Sequence, residues 1–384
     1  MSIQQDLLAQ VKAWRQAFHQ RPELGFQEHT TAGVIADRLR AMGIEVTEGV
    51  GQTGVVGTLR RGAGKSIGLR ADMDALPIVE ANTFAHRSQN HQCMHACGHD
   101  GHTAMLLGAA QYLSQSDSFA GTVQFIFQPA EEALGGAQVM LDDGLLTRFP
   151  VDELYGLHNW PGLPLGQVAV NNGAMMASFD TFEITLQGRG THAAMPEQGL
   201  DPIVAAASLI MGLQTIVSRR VSPLGAAVVS VTQINSGDAF NVLPDKAVLK
   251  GTVRCLDMAI RDEVERLLKE MVIDLPKAYG VDGQIDYKQC YPVTHNHAEA
   301  YTRLKNVATA VLGAEQVQTN VLPSMASEDF SFMLQAQKGA YFWLGVDAEK
   351  ASWPLHNPNY DFNDDAIAIG MKVWIGLVES YLAK

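Results

Sequence analysis

Short apolar runs alternate with longer runs of helical spacing along most of this 384-residue chain, and this alternation limits the fold more than any other feature. The apolar runs are bounded by Gly, Pro or charged residues, as buried strands usually are. In the first 172 residues the strand-like runs are 55–59, 67–71, 123–127 and 154–158, and the helical runs are 7–18 and 30–42. Apolar strands interleaved with helices predict an α/β domain with helices on both faces of its sheet.

The order of elements changes in the middle of the chain. Strand patterns fall at 179–186, 227–234, 247–253 and 284–289, and helical patterns fall at 202–217 and 260–278. Their order, βαββαβ, is that of a ferredoxin-like domain with two helices on one face of a small sheet. From residue 298 the chain returns to helix, strand and helix. We therefore predict an α/β domain, residues 1–173 plus 291–384, that is interrupted by an inserted α+β domain, residues 174–290.

A window of twelve residues, 91–102, concentrates side chains that bind metals. It holds four of the 12 histidines and two of the 4 cysteines in the chain. Thiolate and imidazole groups bind borderline-soft divalent metals. Cys97 and His99 are two residues apart in a Gly-containing stretch, so both can face one ion. For His91, His95 and His102 the pattern leaves two roles open, either a ligand or a residue that supports the ligands.

Polar residues that could complete a metal site follow three of the apolar runs. Asp72 and Asp74 follow the run 67–71, Glu131 and Glu132 follow 123–127, and His158 ends 154–158. Open α/β sheets bind their ligands at the carboxyl ends of strands. Taken singly, a Glu-Glu pair is usually solvated surface, and a histidine at a strand end is usually a hydrogen-bonded core residue. Their coincidence at several strand ends favours a metal site, to which His356 in a Pro-rich turn could add a ligand.

The doublet Glu131-Glu132 can supply two different functions. Neighbouring side chains in an extended or turning segment point in different directions. One carboxylate can therefore bind metal while the other acts as general base toward a water. The spacing does not decide which residue does which.

The inserted domain contains three further polar candidates. His192 lies in a Gly-rich turn, Asn241 lies in a second turn, and Arg254 ends a predicted strand. Each could be an ordinary turn or surface residue. Their alternative role is to stabilise an oxyanion and to bind a substrate carboxylate, since Asn and Arg donate hydrogen bonds to carboxylates.

The amino-acid composition argues against two classes of binding partner. The chain has 28 Lys and Arg against 41 Asp and Glu, a net charge of −13, which argues against nucleic acid and against an anionic membrane surface. We find no run of 18 apolar residues, and the N-terminal segment has the pattern of an amphipathic helix instead of a signal peptide. The four cysteines are too scattered for a disulfide framework, so a cytoplasmic location is expected.

The motifs together resemble the amidohydrolase branch of the M20 metallopeptidase family. The matching segments are 68–77 (GLRADMDALP), 94–104 (MHACGHDGHTA), 127–132 (FQPAEE), 156–159 (GLHN), 191–196 (THAAMP), 240–244 (FNVLP), 327–330 (SEDF) and 355–357 (LHN). They run in order over nearly the whole chain. The resemblance implies a zinc-peptidase-like catalytic domain with a mixed sheet and an inserted ferredoxin-like lid.

By this resemblance, two divalent metal ions per subunit would be held by five side chains, with one ligand shared between both ions. The ligands would be Cys97, which is the shared one, His99, Glu132, His158 and His356. Mn²⁺ or Zn²⁺ is expected, with Co²⁺ or Ni²⁺ as alternatives, because such a ligand set suits several borderline ions. Glu131 would be the general base on a water between the metals, and Asp74 would orient the site. Asp72 stands where other branches carry a ligating His, and we do not expect it to bind metal.

The resemblance also implies what the inserted domain does. As lid and dimerisation domain it would join a homodimer or homotetramer, and His192 would reach the partner subunit's active site as an oxyanion donor. Asn241 and Arg254 would bind the substrate carboxylate.

The expected reaction is hydrolysis of N-acetyl or N-benzoyl (hippurate-like) amino acids to a carboxylic acid and a free amino acid. A dipeptidase or carboxypeptidase of the same fold is the alternative. The free amino group of a peptide substrate would need an acidic partner, and no such residue is evident in the sequence. A redox or metal-binding protein built on Cys93 and Cys97 is disfavoured, because it leaves Glu131, His158 and His356 unexplained.

Overall fold

The computed structural model describes residues 3–132, 134–348 and 352–384. The chain divides into two compact units. Unit 1 comprises Met1–Met175, His295–Leu322 and Asp329–Lys384, and unit 2 comprises Met176–Thr294 and Pro323–Glu328. Elements are numbered below in chain order.

Unit 1 contains a large mixed sheet and the helices that cover it. Within the described residues its strands are β1 (Glu45–Val50), β2 (Gly54–Arg61), β3 (Ser66–Asp72), β4 (Gly121–Gln128), β5 (Glu153–Pro164), β6 (Val168–Val170), β15 (Val317–Thr319) and β16 (Gly339–Asp347). The short strands β7 (Ala174–Met176) and β14 (Thr294–His295) lie where the chain passes from one unit to the other. The helices are α1 (Gln5–Gln20), α2 (His29–Ala41), α3 (His99–Ser114), α4 (Gly136–Asp142), α5 (Leu145–Arg148), α8 (Ala298–Leu312), α9 (Phe330–Ala336) and α10 (Ile367–Tyr381).

The order of strands in the large sheet is β1-β2-β4-β3-β5-β16-β6-β15. The central strands β4, β3, β5 and β16 are parallel, whereas β1, β2 and β6 add antiparallel pairings. The central strands are buried almost throughout, as expected when helices cover both faces of a sheet. Because the parallel strands β4, β3 and β5 are neighbours in this order, the residues that follow them lie at the same edge of the sheet.

Successive side chains along the central strands point to opposite faces of the sheet, and their contacts show which helices cover each face. Tyr155 and Leu157 of β5 belong to one core with residues of α1, α2, α3, α8 and α10. Gly156 lies between them and faces the other way, since a Cβ added to it would lie 3.1 Å from the ring of Phe330 in α9. The predicted α/β architecture with a mixed sheet is confirmed.

Unit 2 is built from a smaller antiparallel sheet and two helices. Its strands are β8 (Phe179–Gln187), β9 (Thr191–His192), β10 (Ala227–Asn235), β11 (Val242–Leu243), β12 (Lys246–Cys255) and β13 (Asp282–Tyr291), and its helices are α6 (Pro202–Thr215) and α7 (Met258–Asp274). The sheet order is β10-β12-β8-β13, with antiparallel pairing throughout. Phe182, Ile184 and Leu186 alternate inward from β8 and pack with α6 and α7.

Helix α6 is strongly apolar and yet only partly buried. Asp201 caps its first turn by accepting the N–H of Ile203 at 2.8 Å, and Pro202 occupies the first helical position. With the turn that follows, Pro202–Arg220 is the one stretch of the described chain long and apolar enough to cross a membrane by length and composition alone. One face packs into the core of unit 2, as in a helix of a globular domain. The other face exposes Val204 and Met211.

Candidate metal centre

Three parallel strands of unit 1 carry polar residues to the same level of the sheet. Asp72 at the end of β3 pairs with Gln128 at the end of β4. On the other side of β3, Arg70 pairs with Gly156 of β5. His158 lies two residues beyond Gly156 and is therefore level with Asp72. The predicted convergence at the strand ends thus follows from the register.

A left-handed glycine directs Cys97 and His99 toward this edge. Gly98 has φ 87° and immediately precedes α3, of which His99 is the first residue. A side chain at this position would be strained, and its Cβ would lie 2.2 Å from Asn159 Oδ1. The glycine in the sequence window is therefore required for the turn.

The potential ligand atoms of these residues form overlapping clusters in which the atoms lie within 4.8 Å of one another. The clusters in unit 1 include Cys97–His99–His158, Cys97–Glu132–His356, His99–Glu131–Glu132 and Asp72–His99–His102. Two clusters share Cys97. All five predicted ligands and the predicted base are thus brought together in one unit of the structure.

The imidazoles are oriented as metal ligands would be. His99 donates Nδ1–H to the carbonyl oxygen of Asp74 at 2.9 Å, and the Asp74 carboxylate lies 3.2 Å from the same nitrogen. Its Nε2 is buried and has no hydrogen-bond partner among the described residues. His158 donates Nδ1–H to its neighbour's carbonyl at 2.7 Å, and its Nε2 lies 3.3 Å from Cys97 Sγ. A buried ring nitrogen without a partner is explained if a cation binds there, so these residues fit a metal centre.

The charged groups around Cys97 also favour binding of a cation. Burial, followed by the nearby carboxylates of Glu132 and Glu131, raises the pKa of the Cys97 thiol well above its usual range. Burial also lowers the pKa of His158, which keeps that imidazole neutral as a ligand must be. A divalent ion reverses the preference of the thiol, because it stabilises the thiolate directly.

His356 and Glu132 meet at the accessible side of the cluster. His356 has φ 63°, and its N–H donates to the carbonyl of Ala96 at 2.8 Å. This bond fixes the turn beside the Cys97 loop. His356 Nε2 lies 3.1 Å from Glu132 Oε1, and its side chain is half exposed.

Asp72 and His102 form hydrogen bonds with each other and with neighbouring residues. His102 donates Nδ1–H to Asp72 at 2.6 Å, and its Nε2 accepts the N–H of Asn159 at 3.0 Å. Arg70 donates to the second oxygen of Asp72 at 2.7 Å. Both nitrogens of His102 are therefore engaged, which makes it a supporting residue that packs against His158 and not a ligand. Sequence reasoning could not assign this role, because it depends on the backbone of Asn159.

A buried charge network behind α3 was also missed from the sequence. Asp100, the second residue of α3, accepts from His19 Nδ1 at 2.8 Å and lies 3.5 Å from Arg15, both on α1. Glu80 contacts the other nitrogen of His19 at 3.1 Å. Burial alone would lower the pKa of His19, but Asp100 and Glu80 outweigh it and raise that pKa to about 9.

This network predicts a loss of stability in mild alkali. Since the folded-state pKa of His19 lies above the ordinary histidine value of 6.5 that it has in the unfolded chain, its contribution is complete below pH 6.5 and disappears as pH rises through about 9. We expect the wild-type free energy of unfolding to fall over this window by about 3 kcal/mol more than that of His19→Gln. Urea unfolding of metal-free protein at several pH values measures the difference. Parallel pH profiles for the two proteins would contradict a charged His19.

Within unit 2, the predicted lid residues fall into two groups. His192 pairs with Val242 across β9 and β11, and Ala193 donates its N–H to the carbonyl of Asn241 at 2.9 Å. His192 and Asn241 are therefore close neighbours, and both are exposed. Arg254 lies at the other end of β12 with its guanidinium 4.1 Å from the centre of the Phe179 ring.

The strand ends gather a thiol, imidazoles and carboxylates in overlapping clusters, and these are the ligand types of metal-dependent hydrolases. Residues 68–380 match Peptidase family M20/M25/M40, and the chain belongs to that family, which confirms the resemblance. It is 43% identical to the hippurate hydrolase of Campylobacter jejuni over 98% of both chains. It is 39% identical to the N-acetyl-L-cysteine deacetylase of Bacillus subtilis, over 92% of this chain and 83% of that relative. Among solved structures, Bacillus subtilis YXEP, a dinuclear metal binding peptidase of the M20 family, matches with a TM-score of 0.85 and 32% identity over 99% of both chains.

Proposed function

We infer that this protein is a metal-dependent amidohydrolase that cleaves N-acyl amino acids to a carboxylic acid and a free amino acid. The observation that carries this inference is the pair of ligand clusters sharing Cys97, with a Glu131 carboxylate oxygen within 4.8 Å of ligand atoms of His99 and Glu132. The identity to hippurate hydrolase and to an N-acetyl-amino-acid deacetylase supports the N-acyl amino acid as substrate class.

We assign the metal ligands as Cys97, His99, Glu132, His158 and His356. Divalent ions at these residues supply Lewis acidity toward the amide carbonyl oxygen and toward water. Mn²⁺ and Zn²⁺ are the ions we expect, because the ligand set mixes thiolate, imidazole and carboxylate. Asp74 orients the site from two sides, since it contacts His99 Nδ1 and also accepts the N–H of Glu132 at 3.0 Å.

Glu131 acts as the general base. It removes a proton from water as the water oxygen bonds to the acyl carbon, and it gives that proton to the amine nitrogen as the C–N bond breaks. Its side chain is 94% buried, which keeps bulk water away from the proton being transferred. His192 donates a hydrogen bond to the oxyanion, and Asn241 and Arg254 bind the substrate carboxylate.

The lid residues of one copy cannot all reach one substrate. The ends of β12 near Asn241 and at Arg254 are separated by eight residues, about 26 Å along a strand. We therefore propose a homodimer in which His192 and Asn241 act at the partner subunit's metal centre. The edge strand β10 and the exposed apolar face of α6 are the proposed interface, since an unpaired strand edge beside an apolar surface favours pairing.

Charge on the exposed face of α6 should separate the subunits. Val204 is 50% and Met211 is 71% exposed in the single chain. We expect Val204→Glu with Met211→Lys to convert the dimer to monomer and to remove at least about 90% of the activity. Light scattering after size exclusion measures the mass. Ile273→Glu, at an apolar position on α7 that is 47% exposed, is the matched control and should leave the dimer intact. A monomeric wild type would contradict the proposed assembly.

A substrate panel with metal exchange tests the function. Protein stripped with a chelator and reloaded with Mn²⁺ or Zn²⁺ is assayed for amine release from N-benzoylglycine, N-acetyl-Met, N-acetyl-Leu, N-acetyl-diaminopimelate and dipeptides. We expect cleavage of N-acyl compounds that disappears on stripping and returns on reloading. Cleavage of dipeptides alone would favour the peptidase alternative. We place the enzyme in the cytoplasm, where its scattered cysteines would stay reduced.

A further inference from the structure

The loop between β4 and α4 carries Glu131 and Glu132, and buried carboxylates hold its backbone. Ala130 donates its N–H to Glu28 at 2.9 Å, and Glu132 donates its N–H to Asp74 at 3.0 Å. At the start of α4, Ala137 donates its N–H to Asp329 at 2.8 Å. Asp74 already has a role toward His99. Glu28 has no role in the chemistry described above.

Ala130 is the strained point of this loop. It has φ 51°, in the left-handed region that a residue with a Cβ adopts only at a cost in free energy. Its carbonyl oxygen accepts the N–H of Gly136 at 2.9 Å, which closes the loop. Because Ala130 directly precedes Glu131, its dihedral angles set the direction in which the Glu131 side chain leaves the backbone.

Burial and several contacts fix Glu28 in the position from which it accepts the N–H of Ala130. Its side chain is fully buried, and its second oxygen accepts the hydroxyl of Thr53 at 2.7 Å. The preceding segment is tied to the residue after Asp74, since Ala75 donates its N–H to the carbonyl of Glu23 at 2.9 Å. Gly25 fits closely here, because a Cβ on it would lie 3.0 Å from the Cβ of Ala130.

The burial of Glu28 is unfavourable in itself. Burial raises the pKa of this carboxyl to about 7, although the hydrogen bond from Thr53 opposes the rise. A carboxylate buried in this way needs its hydrogen bonds, and one of them comes from the residue that precedes the general base.

We propose that Glu28 is a positioning residue for the reaction, which keeps Ala130 left-handed and thereby aims Glu131 at the reacting water. The inference rests on the proposed function through the role of Glu131. Glu28 is not itself a ligand, and the N–H of Glu132 is held separately by Asp74, so we expect metal binding to survive the loss of Glu28.

Three variants of the metal-loaded full-length enzyme test this inference. Glu28→Ala should lower kcat about 10- to 100-fold with KM and metal content unchanged, because a misaimed base slows the chemical step and not substrate binding. Glu28→Gln keeps an oxygen that can accept the Ala130 N–H and should retain kcat within about threefold. Glu23→Ala is the matched control. Glu23 accepts the backbone N–H of Thr30 and Thr31 in the first turn of α2, and among the described residues its side-chain hydrogen bonds do not reach the loop, so kcat should stay near wild type.

A crystal structure of Glu28→Ala separates this inference from the proposed function. We expect Ala130 to leave the left-handed region and Glu131 to turn away from His99. A structure in which Ala130 keeps φ near 51° overturns the positioning role, whatever substrate the enzyme takes. Equal losses of kcat in Glu28→Ala and Glu23→Ala would also overturn it, since they would reflect general destabilisation. A wild type inactive on N-acyl amino acids refutes the substrate class and leaves the crystallographic result to decide on Glu28.

Discussion

Glu131→Gln is expected to lower kcat by about 10²- to 10⁴-fold while the enzyme keeps its full complement of metal. Glutamine occupies nearly the same volume and still accepts hydrogen bonds, but it cannot take the proton that the attacking water loses. Glu131 shares a cluster with His99 and Glu132. The substitution removes the charge of Glu131 and leaves the five proposed metal ligands in place. Steady-state kinetics on the best substrate of the panel, with metal measured by mass spectrometry, gives both quantities.

Glu132→Gln is the matched comparison, because it makes the same chemical change one residue away. Glu132 clusters with Cys97 and His356. Burial acts to raise the pKa of its carboxyl, but His356, whose Nε2 lies 3.1 Å from Glu132 Oε1, and His99 lower that pKa. We expect this variant to lose metal as well as activity. If Glu131→Gln keeps wild-type turnover, Glu131 is not the base. If it loses metal as Glu132→Gln does, it is a ligand and the roles in the doublet are reversed.

The central strands could be predicted because burial on both faces makes them apolar at successive positions. The runs 67–71, 123–127 and 154–158 lie within β3, β4 and β5. Strand β1 gave no such signal, since Glu45–Val50 pairs on one side only and exposes Glu45 and Glu48. The spatial order, with β4 between β2 and β3, depends on long-range pairing that residue patterns do not encode.

In the candidate site too, the features that could be predicted depend on residues close together in the sequence, and the features that could not depend on residues far apart. Cys97 and His99 are recognisable because their spacing and Gly98 are local features. The support they receive is not local: His102 is engaged by Asn159, and Ala130 is held by Glu28, 102 residues away in the chain. The resemblance to M20 enzymes identified candidate ligands and a base. It gave no account of how the base is aimed.

The second large effect is expected at Cys97, which belongs to two ligand clusters, one with His99 and His158 and one with Glu132 and His356. Cys97→Ala removes one ligand from each cluster, so we expect metal affinity to fall by more than about 10²-fold at both sites, with activity lost in parallel. Since the buried thiol has a pKa well above its usual range without metal, loading the wild type must also release its proton. Titration of metal-free protein with Zn²⁺ in a weak buffer measures affinity and released protons together.

Cys93→Ala provides the control for this experiment. Cys93 is also buried, four residues earlier in the same segment, and belongs to none of the ligand clusters found among the described residues. Burial raises its pKa to about 12, so it stays protonated. The control should bind metal and release protons as the wild type does. Cys97→Ala should release about one proton fewer per subunit. If only one of two ions is lost in Cys97→Ala, the thiolate serves a single site and another residue bridges the ions. If neither is lost, the imidazoles and carboxylates alone hold the metals.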